Sequence, residues 1–391
     1  MLKPISIPEK EYRLRWQRTQ SLMENKNIDI LFAYGDDRAV FGPAHVRWLA
    51  NIPVHFEPLC VMLLRSGEPI LLSGPESDQY GVLVGKIKDV RILKEFTHPD
   101  EEYPYSKIQS LEEILNDLGW KKKKVLKAGV GGLQLMPRDT IQALEKALPG
   151  STWLDMETDL QVLRAAKSPS EIAVIRRAYR IADMGIQAAV EAIKPGITER
   201  EVAAAAERVM RSAGAEGTGI DTIVASGPNN RPILARTTLR EIGKNDHVLL
   251  TIAPRYEGYH GAIGRMVFVG KPNPEIELAY KTAVSAQQAC AARIKAGVSG
   301  SLVETAGRKF TSEAGYGEYF LYSGLHSIGV IEFEAPIFGP GTPGNLKKDM
   351  TVSIDIPMFN APWGGLRVED GYLVQETGAE KLSRSEYFFY R

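Results

Sequence analysis

AYRIADMGIQAAVEAIKPGITEREVAAAAERVMRSAG, residues 178–214, has a counterpart 101 positions further on, AYKTAVSAQQACAARIKAGVSGSLVETAGRKFTSEAG, residues 279–315. AY opens both copies, IKPG at 193–196 answers IKAG at 294–297, and AG closes both, with no gap needed. A constant offset across two Ala-rich helical patterns predicts a duplicated helix-helix-strand unit, packed about a pseudo-twofold with a cleft between the halves. Strand-like runs follow each copy: IDTIVASG (220–227) and HVLLTIAPRYEGYHGAIGRMVFVG (247–270), then MTVSIDIPMF (350–359) and LRVEDGYLVQ (366–375). Ser168, Pro169 and Glu171 supply the cap, first-turn proline and return carboxylate that start a long helix, and Thr198 with Glu201 repeats the capping signal.

Upstream, an amphipathic pattern from Tyr12 to Asn25 alternates with apolar runs at 28–34, 60–67 and 69–74, then with helical patterns at 110–118 and 138–148 and a strand ending in KAGVG. That alternation reads as a smaller α/β domain over 1–160, followed by a larger one over 161–391. The 391 residues exceed one ordinary core, which agrees with two domains. Lys+Arg and Asp+Glu are both 48, so nothing draws the chain to nucleic acid or an acidic membrane. The KKKK run at 121–124 has no interleaved aromatics and reads as a solvated turn. Cys60 and Cys290 fall in different domains, which argues against a disulfide framework and for a reducing, cytoplasmic setting. The N-terminal MLKPISIPEKEYRLRWQ lacks the apolar run of a signal peptide, and no membrane span is expected.

Four segments resemble the creatinase, prolidase and aminopeptidase P family: 247–270, LHSIGVIEFEAP (325–336), SIDIP (353–357) and GGLRVEDGYLVQETGAE (364–380). The resemblance implies an α+β chain with a C-terminal pita-bread domain, preceded by a smaller α/β accessory domain. In the metallopeptidase members two metal ions are held by two aspartates, a histidine and two glutamates. Carried over position by position, the aspartates fall on Thr251 and Ala262, the histidine is kept as His326, the first glutamate has become Asp355 and the second is kept as Glu369. Two further histidines around the substrate fall on Ile233 and Phe333. The chain therefore reads as a divergent member lacking most metal ligands. Two divalent ions would be left about two charges short in a low-dielectric cleft.

The creatinase branch also places alanine at the second aspartate position and shows HSFGV where this chain has HSIGV. On that likeness the expected function is a metal-independent hydrolase of a C–N bond in a small cationic or amide-containing molecule, with no cofactor. His326 and His260 are the expected catalytic groups, since imidazole titrates near neutrality. Asp355, Glu369 and Arg367 are expected to bind substrate. Glu57 and His55, in a stretch resembling the one that covers a partner subunit's cleft, are expected to contribute from a homodimer mate. Two alternatives stand beside this reading. One is an Xaa-Pro peptidase with a single Mn, Fe, Co or Zn ion on His326, Asp355 and Glu369; the other is a binding protein without catalysis.

Overall fold

The computed structural model describes residues 3–120 and 126–391, so the lysine run at 121–124 lies outside the described residues. The chain divides into two compact units, Ile7–Arg164 and Ala165–Arg391, the latter with the residues before Ile7. The division falls four residues beyond the expected boundary at 160, because the Glu157–Ala165 helix buries Leu160 in the first unit, against Gly131.

In the first unit the strands Ile108–Gln109, Asp89–Leu93, Ile70–Ser73, Leu59–Leu64, Ile30–Gly35, Lys127–Gly131 and Thr152–Asp155 lie side by side in that order. Ile30–Gly35 is buried along its whole length, as a strand covered on both faces must be. The Glu9–Asn25 helix opens the unit and buries Tyr12, Trp16 and Met23, a stripe at helical spacing.

The second unit is built from the duplication. Its helices are Pro169–Ala192 and Glu199–Ser212, then Pro274–Ala291 and Gly300–Glu313. Glu199–Ser212 and Gly300–Glu313 begin and end 101 residues apart, and the turns before them share Gly196 (φ 88°) and Gly297 (φ 85°). Both expected capping boxes form: the Ser168 side chain accepts from Glu171 N–H, the Thr198 side chain accepts from Glu201 N–H, and each glutamate answers.

Beneath the helices, among the described residues, a nine-stranded sheet runs Glu334–Phe338, Leu325–Ser327, Thr351–Ala361, Gly364–Gln375, Ile263–Phe268, His247–Ile252, Ile223–Ser226, with two short strands attached off this path. Apart from the edge strand Glu334–Phe338, outer, middle and inner strands of one half thus meet inner, middle and outer strands of the other, and the halves join where Gly264 faces Glu369. This palindrome is the pseudo-twofold that the repeat predicts. In the second half, Val352, Ile354, Ile356 and Met358 on one strand and Leu366, Val368 and Val374 on the next enter the hydrophobic core. Strand alternation therefore sends Ser353, Asp355, Arg367 and Glu369 to the opposite face. That face carries the site.

Candidate active site

His326 stands on the three-residue strand Leu325–Ser327 and is 1% exposed. Its Nδ1 lies 2.9 Å from the Ser327 carbonyl oxygen. A carbonyl can only accept, so Nδ1 carries a hydrogen and Nε2 is the ring nitrogen left for another partner. Nε2 points at Glu369 Oε1, 3.8 Å away. Glu332 completes the group: among the described residues, one ligand atom each from His326, Glu332 and Glu369 lie within 4.8 Å of one another, all buried.

Burial pushes the Glu369 carboxyl well above the usual carboxylate range, and the charges of Asp355 and Glu332 push it further. Arg367 and a 2.8 Å hydrogen bond from Ser353 Oγ oppose that shift. Burial likewise raises Glu332, against the pull of His326 and Arg367.

Asp355 does not join the group. Its Oδ2 accepts from the Tyr322 hydroxyl at 2.6 Å, and its Oδ1 lies 3.2 Å from Arg367 Nε, at an angle that makes an ion pair and not a directed hydrogen bond. The same guanidinium donates from Nη1 to Thr251 Oγ1 (3.1 Å) and from Nη2 to the Tyr322 hydroxyl (2.6 Å), with its carbon over the Phe359 ring at 5.5 Å. Burial pulls the Arg367 pKa down, but Asp355, Tyr322 and Glu369 outweigh it and the net shift is upward. Gly264 makes room for this side chain, since a Cβ there would stand 2.8 Å from Arg367 Cγ and 3.0 Å from Glu369 Cβ. Arg367, expected to bind a substrate carboxylate, is thus committed to protein groups.

His260 is buried, and both its backbone N–H (2.9 Å) and its Nδ1 (3.1 Å) reach the Gly329 carbonyl. By the same reasoning its Nδ1 is protonated. Gly219 leaves open the space that His260 and Glu332 both border, because a Cβ there would meet the His260 ring and, at 3.0 Å, Glu332 Cβ. The two residues expected from the first unit are placed differently from each other. Glu57 is buried, with both carboxylate oxygens on Glu76 N–H (3.2 and 3.1 Å) inside its own unit. His55 is exposed and bonds to Asp37 Oδ2 through Nδ1 at 3.0 Å.

Glu332 was not among the residues expected from sequence. It lies in irregular chain between two strands, after a register shift at His326/Ser327, where no period assigns a side chain to a face. Its one signal was the acid-rich run EFE at 332–334. Glu334, two residues on, faces elsewhere and pairs with Lys167 at 2.8 Å.

The His326 imidazole and the buried carboxyls of Glu332 and Glu369 thus come together within a fold of the pita-bread class. The family model of metallopeptidase family M24 matches residues 173–376, and the chain belongs to that family. It is 28% identical over 331 residues to an Xaa-Pro dipeptidase of Pyrococcus horikoshii, covering 83% of this chain and 93% of the relative. With an Xaa-Pro dipeptidase of Lactobacillus delbrueckii subsp. lactis the identity is 30%, over 73% of this chain and 76% of the relative. The solved structure of an X-Pro aminopeptidase from Thermotoga maritima MSB8 superposes with a TM-score of 0.84 at 22% identity, covering 96% of this chain and 99% of that one, and so shares the fold.

These findings correct three expectations. The family match over 173–376 does not bear out a divergent member. The relatives favour the peptidase alternative over the creatinase-like, metal-independent hydrolase. An expectation of no metal has no support in a metallopeptidase family, and the residues present fit a cation. Two lone-pair atoms held about 2.1 Å from a tetrahedral ion stand about 3.4 Å apart, close to the 3.8 Å between His326 Nε2 and Glu369 Oε1. No helix among the described residues is long and apolar enough to cross a membrane.

Proposed function

We propose that this chain hydrolyses the C–N bond of short peptides, with Xaa-Pro dipeptides the substrate class. The observation that carries it is His326, 1% exposed, with its Nε2 facing Glu369 inside the segment matched by the M24 model. The Xaa-Pro dipeptidase relatives support the substrate class. His326 and Glu369 would hold a divalent ion, which when bound would polarise the scissile carbonyl and lower the pKa of a water. Ser353 orients Glu369 through its 2.8 Å hydrogen bond. His260, with Nδ1 fixed on Gly329 O, is assigned to proton transfer toward the leaving nitrogen. Arg367 balances Asp355 and leaves the rest of the acidic group to the cation. A cytoplasmic setting and a homodimer belong to the same proposal; the two free, buried thiols, Cys60 and Cys290, support the former.

The test is hydrolysis of Ala-Pro, Met-Pro and the non-prolyl Ala-Leu, with Mn²⁺ supplied or with chelator present. Turnover of the Xaa-Pro peptides that chelation abolishes is the expected result. Turnover of guanidino or cyclic-amide compounds in chelator, with every dipeptide inert, would return the metal-independent reading.

A further inference from the structure

We infer that the chain binds one divalent cation, not two, on a ligand set of His326, Glu332 and Glu369, with the Arg367 guanidinium as a built-in cation that removes Asp355 from that set. The inference deepens the peptidase reading and rests on it for what the ion does, but not for where the ion binds.

Four charged side chains meet on this face. Arg367 and Asp355 cancel as a pair, with Nε and Oδ1 3.2 Å apart and both side chains under 8% exposed. Glu332 and Glu369 remain, beside an imidazole whose Nδ1 hydrogen is given to Ser327 O and whose Nε2 faces Glu369. Two carboxylates supply the charge that balances one divalent ion, and the imidazole nitrogen supplies a donor of the type such ions take. Glu332 itself points to the ligand. It is more than nine-tenths buried, lies within 4.8 Å of both other donors, and among the described residues makes no hydrogen bond or ion pair. A buried acceptor without a partner is expensive, and a cation would satisfy it.

The segment carrying Glu332 is held in place before any ion arrives. Ile328 N–H bonds to Thr351 O (3.0 Å), Gly329 N–H to Ile331 O (3.0 Å), Gly329 O accepts from His260, and Glu334 is pinned to Lys167. This is the preorganisation that a metal site needs from its surroundings. A second ion has nowhere to go. Thr251 Oγ1 already accepts from Arg367 Nη1, position 262 offers only a methyl group, and a fixed positive charge beside the site repels another cation.

The experiment uses the full-length chain without substrate. Equilibrium dialysis against Mn²⁺ with elemental analysis gives the stoichiometry, and an anomalous-scattering map gives the ligands. One equivalent is expected, within about 2.0–2.2 Å of His326, Glu332 and Glu369. Glu332→Gln, close to isosteric, should weaken Mn²⁺ binding by about tenfold or more while circular dichroism and melting of the metal-free protein stay unchanged. Glu332→Asp should recover part of the affinity. Two equivalents, an ion ligated by Asp355, no binding at all, or an affinity indifferent to Glu332→Gln would each overturn the inference. One ion at these three ligands in a protein that hydrolyses no Xaa-Pro dipeptide would support the site and reject the substrate.

Discussion

The Glu199–Ser212 and Gly300–Glu313 helices match end for end across the repeat, yet the strands that follow them carry unequal chemistry. On the first half the site faces Thr251, Ala262 and Gly264; on the second it faces His326, Asp355, Arg367 and Glu369. Thr251 and Asp355 occupy the fifth residue of their middle strands, which makes them topological counterparts. Arg367 reaches across the join to Thr251 and, within its own half, to Asp355. The frame has stayed symmetric because helix spacing and strand order answer to the common core, while the polar face has not. Gly264 and Ala262 supply space, and the second half fills that space with charge. The largest consequence of this asymmetry is that activity should fail on one half alone. His326→Ala is expected to reduce turnover of a validated substrate by about 10²-fold or more, because it removes the nitrogen ligand proposed for the ion, with melting nearly unchanged. Turnover within threefold of the parent would break the comparison at its centre.

Much of that frame was legible in the sequence. The offset of 101 and the Ser168 and Thr198 boxes are local patterns, and local patterns survive folding when the core agrees with them. The family resemblance also singled out Asp355, Arg367 and Glu369, which strand alternation in the fold sets on one face. What could not be read was who pairs with whom. Antiparallel register sets Asp355 opposite Glu369 and Arg367 opposite Pro357, so the diagonal Asp355–Arg367 pair exists only once register is fixed. Glu332 was hidden for a different reason, since irregular chain has no period to project. Nor could the sequence show that the backbone N–H of Glu76 bonds to Glu57, because that contact depends on how the loop folds.

Adjacent residues on the inner strand of the second half separate chemistry from architecture. Glu369 faces the site, whereas Asp370 faces the other way and meets Arg265 Nη2 at 2.6 Å, both side chains fully buried, with Lys381 Nζ at 3.2 Å and a short contact from Ser383 Oγ. Removing one member of such a pair leaves the other charge buried alone. Asp370→Asn is expected to cost about 3–5 kcal/mol of unfolding free energy, read by urea denaturation. A loss below 1 kcal/mol would mean that Lys381 and Ser383 do not hold this corner.

Acid should weaken the first half before the second. His247 opens the middle strand of the first half, and burial pushes its imidazole down to about 4, with Arg240 adding to the shift and Asp246 opposing it. The fold therefore favours the neutral ring. The resulting stability is complete above the ordinary pKa of 6.5 and is lost as pH falls from there toward 4, on the order of 3 kcal/mol in all. Thr351, the first residue of the matching strand, does not titrate. Melting temperature measured from pH 7 to pH 4 should fall, and His247→Gln should flatten that slope. An unchanged slope would place the acid sensitivity in the carboxylates.

The smallest expected effect tests the symmetry where it is closest. Thr198 and Ser299 are equivalent N-caps, 101 residues apart, and each makes an isolated bridge to a later strand segment, with Glu241 and Asn345 respectively. Thr198 accepts from Glu201 N–H and closes a capping box; Ser299 accepts no such bond, and leucine stands at 302 where glutamate stands at 201. The repeat has kept the small polar residue in both copies and the hydrogen bond in one. Losing a cap that is made costs about 1 kcal/mol, whereas losing one that is not made removes only a side chain at a turn. Thr198→Ala should therefore lower the urea midpoint measurably and Ser299→Ala should leave it in place. Equal losses would show that both side chains act through the turn itself, through the bridges to Glu241 and Asn345, and that the capping box adds nothing to the first copy.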